Sequence, residues 1–232
     1  MESYEHPDDQ FARDARMPLE PQEHIDQLKH LRAYFSDGPR RILDLGCGAG
    51  RLLIPLRRDG HHVVGLDHDS RALNWVAEGC GHRDDLVQQD VRDQSLPLPE
   101  GPFDAALLLG NTLMELVCPN AFVNLLHRLS KCLSRQGVLI IEDIPGLYWP
   151  LLSTGQWGDG LAEGVRMVWS ERDTVFALRE GAEANNDGPL HPDEPHRRLW
   201  TESLLSQTLG QAGWASIQAE DPLVRILRPD YG

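Results

Sequence analysis

The sequence predicts an α/β fold built on a doubly wound, mostly parallel sheet. Three observations lead there. Short, nearly continuous apolar runs recur at Ile42–Leu45, Val63–Leu66, Leu86–Val91, Phe103–Leu109 and Gly137–Glu142, the pattern of strands buried on both faces. Stretches with helical spacing alternate with them, which is how parallel strands are connected. Acids or glycine-polar turns stand at the strand ends, among them Asp44, Asp67, Asp90 and Gly110-Asn111. Ligands in an open α/β sheet lie outside the carboxyl ends of the central strands.

The 232 residues fit one such domain over residues 21–232, preceded by an irregular, charged arm over residues 1–20. The apolar share of 41% and charged share of 25% are those of an ordinary globular chain. A net charge of −14 argues against nucleic acid or an anionic membrane surface as partner, since both need a basic footprint. It leaves neutral or cationic small molecules open. Cys47, Cys80, Cys118 and Cys132 are scattered, without a C-x-x-C pair or a histidine cluster at zinc spacing. The expectation is therefore free thiols in a reducing compartment and no metal site. The acidic, polar start reads as neither a secretory nor a transit peptide, and no apolar run reaches membrane-spanning length. A cytoplasmic location is expected.

Taken in order, Ile25, Leu28, Leu31 and Phe35 recur at helical spacing and give a first amphipathic helix from Pro21, stopped at Gly38-Pro39. The Arg41–Leu45 strand, the glycines 46, 48 and 50, and a helix beginning at Leu52-Leu53-Ile54 follow as one strand–turn–helix unit. Glycines let the backbone approach a ligand closely, and free N–H groups at the helix start face it. Val63–Leu66 is the second strand, ending at Asp67, with Asp69 placed to cap a helix carrying Ala72, Leu73, Val76 and Ala77. Leu86–Val91 is the third strand and Phe103–Leu109 the fourth. Pro119 suits the first turn of a helix whose apolar stripe is Phe122, Leu125, Leu126, Leu129 and Leu133. Gly137–Glu142 is the fifth strand.

The rhythm then breaks. Val165–Ser170 and Thr174–Leu178 alternate like antiparallel strands, and a polar loop joins them to His196–Trp200. Residues 144–200 are thus read as a small antiparallel β insertion after strand five, covering the carboxyl-end crevice. Thr201 caps a helix with Leu204, Leu205, Thr208 and Leu209 inward and Gly213 at its end, and Trp214–Ala219 and Val224–Leu227 close the sheet.

The glycine stretch reads acid-x-G-x-G-x-G, with Arg51 where a dinucleotide site would place its third glycine. A carboxylate at Asp44 repels a pyrophosphate and suits an ammonium group. An acid at the end of strand two is placed to accept hydrogen bonds from ribose hydroxyls. Asp90 reads on its own as an acid ending strand three or as a surface turn, and Asn111 as a turn residue in left-handed conformation.

These motifs resemble the class I S-adenosylmethionine-dependent methyltransferases, from about residue 40 to the C-terminus, most closely through residue 143. The resemblance implies a Rossmann-like sheet of seven strands, one of them antiparallel. It implies a cofactor site of Asp44, Gly46, Cys47, Gly48, Gly50, Asp67, His68, Asp90, Val91, Leu109, Gly110 and Asn111. In it the Asp90 carboxylate takes the adenine amine and Val91 packs on the ring. Gly-Asn-Thr-Leu at 110–113 is similar to the glycine and sarcosine N-methyltransferase branch, which implies a small-molecule acceptor, an amine nitrogen by preference. Asn111, Trp149, Trp157 and His191 are candidates for touching that acceptor.

Methyl transfer from a sulfonium is an in-line displacement that positioning can largely drive, supplying about 7–11 kcal/mol of the barrier. This agrees with a sequence in which no triad or catalytic carboxylate pair stands out, so no catalytic residue is assigned. His191, Asp193 and Glu194 are placed to act as base or as substrate ligands, or as solvated loop residues. Two other readings stand beside this one. A nicotinamide-dependent oxidoreductase is opposed by the glycine spacing, by Asp90 and by the lack of a Tyr-x-x-x-Lys pair. A non-catalytic protein on the same fold would keep these binding positions.

Overall fold

The computed structural model describes residues 21–81, 83–142, 164–217 and 224–230. The arm over 1–20 and the candidates Trp149 and Trp157 lie outside the described residues. Helix α1 (Pro21–Tyr34) precedes β1 (Arg41–Leu45), α2 (Leu53–Arg58), β2 (His62–Asp67), α3 (Ser70–Cys80), β3 (Leu86–Gln88) and β4 (Phe103–Leu108). Then come α4 (Thr112–Glu115), α5 (Pro119–Cys132), β5 (Leu133–Glu142), β6 (Val165–Trp169), β7 (Val175–Glu180) and β8 (His196–Arg198). The chain closes through α6 (Glu202–Ala212), β9 (Trp214–Ile217) and β10 (Val224–Pro229).

Seven strands form the main sheet in the order β3-β2-β1-β4-β5-β10-β9. The β3-β2, β2-β1, β1-β4 and β4-β5 pairs are parallel, and β10 runs antiparallel to both of its neighbours. A second sheet, β6-β7-β8, is antiparallel throughout. Both match the architecture expected from the sequence.

The period of two in the strands divides the core between the sheet's faces. Leu43, Leu45, Ala106, Leu108, Leu139 and Ile141 join α5 and α6 through Phe122, Leu126, Leu205 and Leu209. Ile42, Ala105, Leu107, Val138 and Ile140 meet Leu31 of α1 and Phe35 just after it, Leu53 and Leu56 of α2, and Leu73 and Val76 of α3. Helices thus cover both faces, and the carboxyl ends of β1, β2, β4 and β5 are left for the connecting loops.

Four sequence expectations need correction. Ile25 is 55% exposed, because the helix turns Gln27 inward beside it to bond Glu142. Strand three stops at Gln88, since the Asp90 carboxylate takes the Arg92 N–H at 2.8 Å and turns the chain. Leu133 opens β5 rather than extending the α5 stripe, pairing with Phe103 ahead of a register shift. Strand β8 ends at Arg198; beyond it Leu199 and Trp200 are core residues, with the Trp200 indole N–H on the Leu113 carbonyl at 3.0 Å.

The small sheet is fastened just after the β4 end. The Arg198 Nε donates to the Val117 carbonyl at 2.5 Å, and Trp200 packs edge-on against Phe122. Phe176 and Leu178 of β7 are buried in the same core as α5, and Trp169 lies against Phe176 with ring centroids 4.9 Å apart.

Candidate functional site

The chain leaves β1 at Leu45 and is caught at once by β2. The N–H groups of Gly46 and Cys47 both donate to the Leu66 carbonyl, at 2.7 and 3.1 Å, and the Gly50 N–H closes back onto the Cys47 carbonyl at 2.9 Å. Gly46, Gly48 and Gly50 have positive φ of 73°, 51° and 85°, a region glycine enters freely. They differ in what a side chain would meet. A Cβ on Gly46 would stand 2.8 Å from Thr112, and one on Gly50 2.9 Å from Ile54, whereas nothing lies within 4 Å of the Gly48 position. Two of the glycines serve packing, and the middle one leaves open space over the turn.

Two acids flank that space. Asp44, 4% exposed, sits within β1 against Gly65 of β2 and Leu107 of β4. Burial drives its carboxyl from the usual 3.8 up to about 7, with Arg51 pulling it down and Asp67 pushing it up. Asp67 ends β2 and spans the turn: one oxygen accepts the Gly48 N–H at 2.8 Å, the other the Asp69 N–H at 2.9 Å. His68 stands beside it, exposed, its Nδ1 3.5 Å from that second oxygen. Capping of α3 falls to Asp69, whose side chain accepts the Arg71 N–H. Cys47 is buried under the turn, and that burial pushes its thiol well up, which makes it unreactive.

Asp90 stands one loop further along the edge. The Arg92 guanidinium grips its carboxylate through Nε at 2.9 Å and a terminal nitrogen at 2.7 Å, holding it below the ordinary range. Val91 is buried, and its carbonyl is held at 3.2 Å by Arg128 of α5.

At the end of β4, Leu109 is buried, and Gly110 and Asn111 take φ of 75° and 66° in succession. Sequence reasoning missed what holds them. Glu142, the last residue of β5 and 1% exposed, accepts the Gly110 N–H at 2.9 Å and the Asn111 N–H at 2.6 Å. It also accepts the Gln27 side-chain amide of α1 at 2.9 Å. One turn earlier on α1, His24 Nδ1 lies 3.1 Å from an Arg51 nitrogen. An acid at the carboxyl end of a central strand was the available signal, but its partners are 31, 32 and 115 residues away.

The remaining loop candidates bond within the loop after β7. His191 is an exposed side chain whose backbone N–H donates to Glu194 at 2.6 Å and whose Nδ1 lies 3.6 Å from Asp193. Glu194 is paired through both oxygens with Arg179 of β7, at 2.8 and 3.0 Å. That pairing holds its carboxyl down to about 2.

Asp44, Gly48, Asp67 and the Gly110-Asn111 turn therefore lie at or beside the carboxyl ends of three adjacent strands, with open space over Gly48 and the Asp67 carboxylate at its edge. A ligand with a cationic group for Asp44 and hydroxyl donors for Asp67 fits those groups. S-adenosylmethionine carries both.

Comparison with known proteins agrees. A family profile described as a methyltransferase domain matches residues 42–137. The 18S rRNA (guanine-N(7))-methyltransferase RID2 of Arabidopsis thaliana is 31% identical over 183 residues, covering 78% of this chain and 56% of that protein. The tRNA N(3)-cytidine methyltransferase METTL2 of Bos taurus is 25% identical over 140 residues, covering 54% of this chain and 36% of its own length. The chain thus spans between about a third and just over half of these curated relatives. Among solved structures, an S-adenosylmethionine-dependent methyltransferase from Clostridium acetobutylicum shares the fold with a TM-score of 0.63 at 13% identity, over 95% of this chain and 98% of that one. CalS10 of Micromonospora echinaspora, an amino pentose methyltransferase solved with S-adenosylmethionine bound, does so with a TM-score of 0.57 at 20% identity, over 94% of each chain. Residues 42–137, from the acid-led glycine turn of β1 into β5, thus match a methyltransferase domain, and the sheet through the antiparallel strand β10 has the fold of S-adenosylmethionine-dependent methyltransferases.

Proposed function

We propose that this domain transfers a methyl group from S-adenosylmethionine to the nitrogen of a small-molecule amine. The observation that carries the cofactor half is the open space over Gly48, with Asp67 bonded to the turn and Asp44 buried beside it. In this reading Asp44 faces the ammonium group of the cofactor and Asp67 the ribose hydroxyls, with His68 beside it. Asp90 takes the adenine amine and Val91 packs on the ring. The backbone of Gly46, Cys47, Gly48 and Gly50 forms one wall, and Leu109, Gly110 and Asn111 line the side of the reacting methyl.

When bound, the cofactor supplies a methyl group already activated by the positive charge on sulfur. What this chain contributes is alignment and exclusion of water, and correct placement of two partners is worth about 7–11 kcal/mol. The amine attacks as the neutral base. Glu194, held down near 2, is too weak a base to take its proton at neutral pH. Residues 144–200 form the cover over the acceptor in this reading. Support comes from the described part, where Arg198 and Trp200 anchor the small sheet to Val117 and Leu113 just after the Gly110-Asn111 turn. Trp149, Trp157, Asn111 and His191 are its candidate acceptor contacts.

The net charge of −14 supports a small molecule over a polyanion. So do the names of two fold neighbours: CalS10 acts on an amino pentose, and a Burkholderia thailandensis neighbour is a 1,6-didemethyltoxoflavin-N1-methyltransferase. A second reading, methylation of RNA, draws on the sequence relatives named for ribosomal and transfer RNA. Among the described residues no helix is long and apolar enough to cross a bilayer.

The test is calorimetric titration with S-adenosylmethionine, S-adenosylhomocysteine and NADH, then transfer of radiolabelled methyl to a panel of small amines and to total RNA. Binding of the sulfonium pair with label on an amine supports the proposal. Label on RNA alone would establish the second reading, and binding of NADH alone would overturn both.

A further inference from the structure

We propose that Glu142 is a positioning residue for the site: its carboxylate holds the Gly110-Asn111 turn in the conformation the cofactor meets. The inference rests on the reading that this turn faces the reacting end of the cofactor. Parallel pairing of β4 and β5 sets Leu108 beside Ile141. The next side chain on β5 is then level with the turn leaving β4. Two successive backbone N–H groups converge on the two oxygens of Glu142, at 2.9 and 2.6 Å. Consecutive N–H groups turned to one side form an anion-binding nest, and here the anion belongs to the protein. Asn111 enters the left-handed region at φ 66° to make it, a conformation that a side chain opposes and glycine accepts.

The third donor ties the same carboxylate to α1. Gln27, 1% exposed, gives its amide nitrogen to Glu142, while its carbonyl oxygen is buried without a partner among the described residues. The amide is therefore placed by the acid rather than by a network of its own.

Glu142→Gln preserves shape but turns an amide N–H against one of the backbone donors, so the turn must shift. The experiment combines Glu142→Gln, Asn111→Gly and the double variant, each followed by melting, amide hydrogen exchange without ligand, and titration with S-adenosylhomocysteine. Glu142→Gln should speed exchange at Gly110 and Asn111 and weaken S-adenosylhomocysteine, each by about tenfold or more. In the Asn111→Gly background its effect on affinity should shrink to about threefold or less, because glycine enters that conformation without the steric cost the carboxylate otherwise offsets. An equal loss in both backgrounds would mark Glu142 as a mere prop of the fold and overturn the proposal, as would unchanged exchange. If Glu142→Gln does not fold, Glu142→Asp keeps the charge but draws the carboxylate back by one methylene from both N–H groups. It must then speed the same two amides, or the proposal fails. Wild-type protein that does not bind S-adenosylhomocysteine would refute the cofactor reading instead, and the exchange measurement would still decide on Glu142.

Discussion

Replacing Asp44 by Asn removes a charge that the ligand-free fold carries at a cost. In the unfolded chain this carboxyl ionises at its ordinary value of 3.8; in the folded protein burial moves it to about 7. Below pH 4 both states hold the proton, and the residue contributes nothing to pH dependence. Between pH 4 and 7 the folded state keeps a proton the unfolded state has released, so stability falls as pH rises, by about 1.36 kcal/mol per pH unit. Above pH 7 the penalty levels off at no more than about 4 kcal/mol. Asp44→Asn escapes it. Thermal melts of ligand-free protein should show the variant tracking wild type near pH 4 and exceeding it by pH 8. The gain is at most about 8–16 °C at about 2–4 °C per kcal/mol for a domain of this size. Affinity moves the other way, because a charge-assisted hydrogen bond is worth about 1.5–3 kcal/mol, or about 10- to 150-fold. Titration near pH 7 should also release protons as a cation draws the Asp44 proton off. A variant no more stable than wild type at pH 8, or one that binds S-adenosylhomocysteine unchanged, would refute the reasoning.

Asp67→Asn leaves one of the Gly48 and Asp69 N–H groups facing an amide donor, and calorimetry should find S-adenosylhomocysteine about 10- to 150-fold weaker, at about 1.5–3 kcal/mol. Gly46→Ala forces a Cβ to 2.8 Å from Thr112 at φ 73°, and chemical denaturation should show a loss of about 1–3 kcal/mol. Glu194, held near 2 against an ordinary 4.5, stabilises the fold above pH 4.5 and loses that contribution as pH falls toward 2. Melts of Glu194→Gln should therefore lie below wild type at pH 6 and merge with it near pH 2.

What the sequence made legible was local. The glycine turn with Asp44, the acid closing β2, the Asp69 and Thr201 caps and the Gly213 stop each depend on neighbours a few residues away. Alternation of apolar runs carried the sheet and even the small antiparallel insertion. Glu142 escaped because its meaning depends on strand order: β4 and β5 must lie side by side before its carboxylate can reach Gly110. Gln27 escaped for the same reason, a polar residue on a helix face where periodicity favours Ile25. Arg92 was not read as the partner of Asp90, although their two-residue separation allowed it. Long charged side chains reach several positions with equal ease, and spacing does not choose among them.

The loop after β7 is folded around a single buried guanidinium. Arg179 donates to the carbonyls of Asn186, Gly188 and Pro189 at 2.7, 2.9 and 2.8 Å, and to both oxygens of Glu194. Three of those acceptors are backbone atoms, which any residue would supply. The path of the loop is thus written chiefly by Arg179 and Glu194, with Asn186 Oδ1 and His191 Nδ1 each accepting one further backbone N–H, at 2.9 and 3.3 Å. Substitutions at an exposed position such as Asp193 can rewrite the loop's surface without redrawing the backbone beneath, so variation can explore new chemistry there on a fixed frame.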